Sequence, residues 1–229
     1  MGNGTGMLSL KEVANFLKSH ESFVVTAHVA PDPDAIGSAF GLAHVLNGLG
    51  KEVQVCFVEE IPRVLKGLLG GVEPVEKPSK TDVPLVVVDT ASKRRVNGFE
   101  TGWVDGFTTV LNIDHHISNE GWGTLNYVVG DAAASASLIV EIAEALGATL
   151  SVEAANLLYA GLSDDTGSFR FSNTTEQALS TAAKLVSAGA NPQRVSNELY
   201  FNAPFNVIQL RGLALSRIEQ WCSGKIGFL

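Results

Sequence analysis

The sequence predicts an α/β fold: a doubly wound, mainly parallel five-stranded sheet with flanking helices and a helical C-terminal half. Three observations predict it. Residues 23–27, 53–58, 84–88 and 109–113 are short apolar runs, and 84–88 is almost unbroken, the pattern of strands covered on both faces, as in parallel sheets. Helical periodicities occupy much of the sequence between these runs, as crossover connections require. Beyond about residue 134 the strand-like runs give way to successive helical segments.

Taken in order, Ser9-Leu10-Lys11-Glu12 forms a capping box, and Leu10, Val13, Phe16 and Leu17 follow at helical spacing, so a helix is expected over 9–20. The strand 23–27 runs into the turn Pro31-Asp32-Pro33-Asp34, where Asp34 is expected to cap a helix reaching residue 47. Gly50 closes that unit. The strand 53–58, a short helix over 61–69, Gly70-Gly71 and a polar, proline-containing loop lead to the strand 84–88. The strand 109–113 follows, and then 124–129 at an edge. Helices are expected over 134–146, over 152–162 with Ser151 as cap, over 174–188, from Asn191-Pro192, and over 204–221. Residues 225–229 read as the start of a strand with no partner after it.

Composition narrows the function. A chain of 229 residues suits one large domain or two small ones. A net charge of −8 argues against a broad surface for long-duplex nucleic acid. A small nucleotide substrate stays compatible, because bound cations reverse the charge inside an acidic cleft. Cys56 and Cys222 fit no thiolate metal spacing, and a reducing cytoplasm is the expected setting. No apolar run approaches the roughly 18 residues of a membrane span, and residues 1–7 lack the pattern of a secretory signal. No membrane association is expected, and residues 1–7 read as a frayed terminus or a cloning remnant.

The candidate chemistry lies where the strands end. His28, Asp32 and Asp34 follow the first strand, Asp89 the third, and Asp114-His115-His116 the fourth. In an open α/β sheet ligands bind beyond the carboxyl ends of the strands, so a parallel sheet brings these residues to one edge. Several carboxylates gather in one cleft only if cations offset their repulsion. Mixed imidazole and carboxylate donors without thiolates favour Mn²⁺, with Fe²⁺, Co²⁺ or Zn²⁺ as alternatives. Asp164-Asp165-Thr166-Gly167 could supply a last ligand. Two cations about 3.5–4 Å apart suit in-line attack on phosphorus.

These residues carry a resemblance. His28-Val29-Ala30-Pro31-Asp32-Pro33-Asp34-Ala35-Ile36-Gly37-Ser38, Val88-Asp89-Thr90, Asp114-His115-His116 and Asp165-Thr166-Gly167-Ser168-Phe169-Arg170-Phe171 resemble, in order and spacing, the four motifs of the DHH phosphoesterases. Within that family the chain looks most like the oligoribonuclease (nanoRNase) and pAp-phosphatase branch. The resemblance implies a DHH domain over 8–200, with 201–229 as a connecting helix and the opening of a C-terminal substrate-binding domain. It implies one metal held by His28, Asp32 and Asp89, and a second held by Asp34, Asp89, His115 and Asp165, with Asp89 bridging. His116 would face the substrate phosphate, and Asp114 would support the cluster. Between the two aspartates, Asp165 is chosen as ligand because it precedes Thr166-Gly167. Relatives carry a glycine-rich, histidine-containing substrate motif that does not occur before Leu229.

The expected function is therefore a phosphoesterase with two divalent cations, most simply Mn²⁺, that hydrolyses short RNA oligonucleotides or pAp by hydroxide attack on phosphorus. A homodimer is compatible with it. A cyclic or linear dinucleotide phosphodiesterase and a pyrophosphatase share the same metal centre. A nucleotide-binding module of poor turnover is the alternative from another class. Arg170 is a candidate substrate contact, with pinning of the loop after Asp165 as its other reading. Ser135 and Ser137 are assigned to helix capping, Asn173 and Thr174 to the cap of the next helix, and His20 and His44 to structure.

Overall fold

The structure is a computed structural model and describes residues 6–228; residues 1–5 and Leu229 lie outside the described part. At its centre Leu85–Val88 (β3) is buried at every position. Ser22–Thr26 (β1) and Glu52–Val55 (β2) lie on one side of it. Val110–Asp114 (β4) and Leu125–Val128 (β5) lie on the other. The sheet order is β2-β1-β3-β4-β5, and every pairing is parallel. This order reverses direction between β1 and β3, so the crevice for a ligand falls beyond their carboxyl ends. The register places Val88 opposite Ile113. Asp89 continues the ladder through its N–H, which donates to the Ile113 carbonyl at 2.9 Å.

One face of the sheet is covered by Leu10–Ser19 (α1), Pro33–Gly48 (α2) and, after the one-turn Arg63–Lys66 (α3), by Ser135–Leu146 (α4). Val152–Asp165 (α5) packs over α2 and α4 as an outer layer, followed by Glu176–Ser187 (α6) and Pro192–Ser196 (α7). Gly37 and Gly161 allow the close approach of α2 and α5: a Cβ on Gly37 would overlap the Leu157 carbonyl, and one on Gly161 would sit 2.6 Å from Asp34 Oδ1.

The opposite face differs from expectation. The connection from β3 to β4 holds no α-helix but three 3-10 turns, Lys93–Arg95, Phe99–Thr101 and Trp103–Gly106. Gly98 and Gly102, at φ +88° and +73°, interrupt any longer helix. Val96, Trp103, Val104 and Phe107 from this stretch cover Val24, Cys56, Leu85 and Val87.

Several boundaries also move. Asp32, not Asp34, caps α2 by accepting from the Ala35 N–H at 2.9 Å. Helix α5 continues past Leu162 to include Asp164 and Asp165. Thr175, rather than Asn173 or Thr174, caps α6. The last helix, Phe205–Leu215 (α8), stops short of Trp221. Glu219–Trp221 (β6) instead pairs antiparallel with Ile226–Phe228 (β7), which gives that strand a partner that the sequence reading had not supplied. Cys222, Ser223 and Gly224 all take positive φ and turn the chain between them. At the other end, Gly6 and Met7, expected to fray, lie along β5: Asn126 N–H donates to the Gly6 carbonyl and Leu8 N–H to the Asn126 carbonyl, both at 2.7 Å. No described helix is long and apolar enough to cross a membrane.

The two thiols differ sharply. Cys56 is fully buried, and burial pushes its thiol up to about 12, whereas Cys222 is exposed. Reactivity needs an accessible thiolate. Titration with a chromogenic disulfide is expected to count one fast thiol in the native protein and two after denaturation.

Candidate metal centre

Each site residue is aimed by the local chain. His28 follows β1, and an antiparallel bridge to Val96 and the Val29 N–H donating to the Arg95 carbonyl (2.7 Å) hold it. Its Nδ1 lies 2.8 Å from the Val29 carbonyl. A carbonyl only accepts, so Nδ1 carries the proton and Nε2 is left for a ligand. His115 repeats this device with Nδ1 3.2 Å from the Ala132 carbonyl. Both Nε2 atoms point at carboxylates. His28 Nε2 is 3.4 Å from Asp32 Oδ2 and 3.4 Å from Asp89 Oδ2. His115 Nε2 is 3.1 Å from Asp165 Oδ2, 3.4 Å from Asp89 Oδ1 and 4.0 Å from Asp34 Oδ2.

Asp89 therefore presents one oxygen to each half of the cluster. It does so from φ +50°, a region that side chains with a Cβ rarely adopt and that clusters at functional sites. Ser135 Oγ donates to its Oδ1 at 2.9 Å. Asp34 is fully buried within the first turn of α2 and accepts from Ser135 N–H (2.6 Å), Ala136 N–H (2.9 Å) and Ser38 Oγ (3.2 Å). The N-cap of α4 is Ala134, which offers no side-chain acceptor. Asp34 thus satisfies the free N–H groups of α4 from another helix and meets the positive end of its dipole.

His116 is set apart. Its Nδ1 bonds to Asp114 Oδ1 at 2.7 Å, and the fully buried Asp114 also accepts from Asn119 Nδ2 at 2.6 Å. The ring is the most exposed of the three imidazoles, and its Nε2 is left free of this contact. Asp164 joins none of the three candidate ligand sets, which are His28-Asp32-Asp89, Asp34-His115-Asp165 and Asp89-His115-His116. It accepts instead from the Tyr200 hydroxyl at 3.4 Å. Burial, with Asp32 and Asp165 nearby, pushes its carboxyl up to about 6.

After Asp165 the chain makes a left-handed turn: Gly167, Ser168 and Phe169 take φ +56°, +59° and +61°. Such a conformation costs a residue with a Cβ about 1–2 kcal/mol. Ser168 N–H to the Ser163 carbonyl (2.6 Å) and Phe169 N–H to Thr166 Oγ1 (3.1 Å) hold it. Arg170 Nε donates to the Gly167 carbonyl at 2.6 Å, the loop-pinning contact that the sequence left open beside phosphate binding.

Burial pushes the Asp34 carboxyl well above the usual range, and the Asp89 and Asp165 charges add to it. Burial acts likewise on Asp89, but His115 and His28 outweigh it and hold that carboxyl well below the usual range. Burial pulls the two imidazoles down, and their carboxylate partners override it: Asp32 and Asp89 raise His28 to about 10, and Asp165 and Asp89 raise His115 to about 11. Among the described residues no lysine or arginine pairs with Asp32, Asp34, Asp89 or Asp165. Among the described residues, the charged partners of these carboxylates are imidazoles, chiefly His28 and His115, whose Nε2 atoms face inward. Divalent cations fit this donor set, since they replace those protons and offset the clustered carboxylates.

Sequence reasoning missed the supporting shell. Ser135, assigned to capping, bonds Asp89, and Asn119 holds Asp114 and Asn112 together. Asn173 ties the Ala133 and Asp165 carbonyls at 3.1 and 3.0 Å. Hydrogen-bonding partners behind ligands commonly contribute 10–100-fold in metal affinity. Ser135→Ala is therefore expected to weaken Mn²⁺ binding by about that factor, measured by isothermal titration, with the circular dichroism spectrum unchanged.

A parallel sheet whose switch point gathers carboxylates and imidazoles into overlapping ligand sets defines an open-sheet α/β protein with a candidate divalent-metal centre. The chain belongs to the DHH family: the model for the DHH family, N-terminal domain, matches residues 22–162. The bifunctional oligoribonuclease and PAP phosphatase NrnA of Thermus thermophilus is 38% identical over 215 residues, covering 91% of this chain and 63% of that protein. Its namesake in Bacillus subtilis is 29% identical, covering 91% of this chain and 66% of that protein. The chain thus spans about two thirds of the length of these relatives. The crystal structure of an exopolyphosphatase-related protein from Bacteroides fragilis shares the fold, with a TM-score of 0.84 at 21% identity over 93% of this chain and 66% of that one.

Proposed function

We propose that this chain carries the metal centre of a Mn²⁺-dependent phosphoesterase acting on short RNA oligonucleotides and pAp. The observation that carries this reading is the split of Asp89, with Oδ2 toward His28 and Oδ1 toward His115. It favours two adjacent cation positions that share one carboxylate: His28, Asp32 and Asp89 on one side, Asp34, Asp89, His115 and Asp165 on the other. The names of the Thermus and Bacillus relatives support the substrate class. Bound cations supply Lewis acidity toward the phosphate oxygens and a lowered pKa for an attacking water.

The chain's own residues do the rest. Asp114 fixes the His116 ring through Nδ1, so that Nε2 can donate to a phosphate oxygen as charge builds there. Arg170 keeps its terminal nitrogens for a phosphate while Nε anchors it to the turn. Val29 and Ala132 hold the proton positions on His28 and His115. The test is hydrolysis of diadenylate, pAp, cyclic di-AMP and pyrophosphate with Mn²⁺. Cleavage of diadenylate and pAp that stops on chelation is expected. Cleavage of pyrophosphate or cyclic di-AMP alone, or of nothing, would overturn the reading.

A further inference from the structure

An exposed aromatic side chain six residues beyond Asp165 has no role in the reading above. Phe171 is 58% exposed, yet its backbone is fixed at both ends: its N–H donates to the Thr166 carbonyl and its carbonyl accepts from the Thr174 N–H, both at 3.0 Å. The strap that carries it starts at Asp165 and returns to it, because Asn173 Nδ2 donates to the Asp165 carbonyl. The tip of the Phe171 ring rests on Gly167, where any Cβ would overlap Cζ and both Cε atoms. Gly167 is therefore required twice, for its positive φ and for its bare Cα.

Folding normally buries a phenylalanine or lets it move. Here a left-handed turn containing two residues with side chains, Ser168 and Phe169, is held strained, and the aromatic ring it leads to stays largely in solvent with its tip on Gly167, two residues from Asp165. Strain that the surrounding bonds maintain marks a position whose geometry matters. A solvent-facing aromatic whose backbone is anchored and whose tip packs on Gly167, on the strap that begins at Asp165, has the properties of a stacking surface for a base, since every base offers a π-face.

We propose that Phe171 stacks against a nucleobase of the substrate and makes a base-bearing nucleotide a better ligand than a bare phosphodiester. The proposal rests on the phosphoesterase reading for its substrate class, and it names a specificity residue that binds without touching the reacting atoms. It predicts sequence-tolerant recognition, because stacking reads no hydrogen-bond pattern.

The test compares wild type, Phe171→Ala and Phe171→Trp on diadenylate and on a dinucleotide analogue whose second nucleoside is abasic. Phe171→Ala is expected to raise KM for diadenylate by about tenfold or more with kcat roughly unchanged, to leave the abasic substrate's KM in place, and to be rescued by Phe171→Trp. An unchanged KM, an equal rise on both substrates, or a fall in kcat alone would overturn it. A second readout does not depend on turnover: the additional indole emission of Phe171→Trp, relative to wild type, is expected to be quenched by AMP but not by ribose 5-phosphate. If wild type hydrolyses none of the substrates, the phosphoesterase reading fails and this quenching alone decides: base-selective quenching supports stacking, and its absence overturns it.

Discussion

Asp89→Ala is expected to abolish Mn²⁺-dependent hydrolysis, with a loss of at least about a thousandfold, equivalent to about 4 kcal/mol of transition-state stabilisation. Every other acidic ligand serves one side of the cluster, whereas Asp89 faces His28 with one oxygen and His115 with the other. Its removal takes a ligand from both proposed cation positions and leaves Ser135 Oγ without its acceptor. His116→Ala removes no ligand from the two sets proposed to hold cations, so it should reduce turnover by about 10²–10⁴-fold while retaining Mn²⁺ binding. Isothermal titration with Mn²⁺ beside a diadenylate assay separates the two outcomes. Retained activity in Asp89→Ala would remove the bridging role.

Gly161→Ala is expected to destabilise the protein by about 1–3 kcal/mol, the usual cost of overpacking, and to weaken metal binding with it. At an open helical position the same change would stabilise by about 0.5–1 kcal/mol. The sign is set by space. The added methyl would sit 2.6 Å from Asp34 Oδ1 and 3.0 Å from both Asp34 Cα and Ala136 Cβ. Relief requires α5 to move away from α2 and α4, which carries Asp165 from Asp34. Gly48, with nothing near its would-be Cβ, is the control: Gly48→Ala should be neutral or slightly stabilising. For a chain of this size the Gly161 variant should melt about 2–12 °C lower, read by thermal denaturation with and without Mn²⁺. A melting point at or above that of wild type would show that the helices yield at little cost.

Much of this was legible in the sequence because burial on two faces leaves a plain mark. The runs through Val24, Val25, Val86, Val87, Leu111 and Ile113 read as inner strands, and their ends placed His28, Asp89 and His115 together once the sheet was taken as parallel. What escaped were features that depend on partners remote in sequence. Asp34 reads as a helix cap from its neighbours alone, but its acceptor capacity goes to α4, a hundred residues away. Ser135 reads as a cap for the same reason. Between β3 and β4, Val96, Phe99, Trp103 and Phe107 fall at spacings that a helix would also use, and the two positive-φ glycines, Gly98 and Gly102, break it into 3-10 turns. Asp164 and Asp165 are poor helix formers, yet packing of α5 on α2 carries the helix through them.

Residues 6–8 have a consequence for the sheet as a whole. An unpaired strand edge is a template on which a strand from another molecule can add, and natural sheets shield such borders. Asn126 in β5 spends its backbone N–H and carbonyl on Gly6 and Leu8 of the same chain. The border is thus occupied from within, by a segment too short to offer a long new edge of its own. Association between copies by extending the sheet at β5 would first have to displace residues 6–8, so trimming them would turn a closed border into an adhesive one.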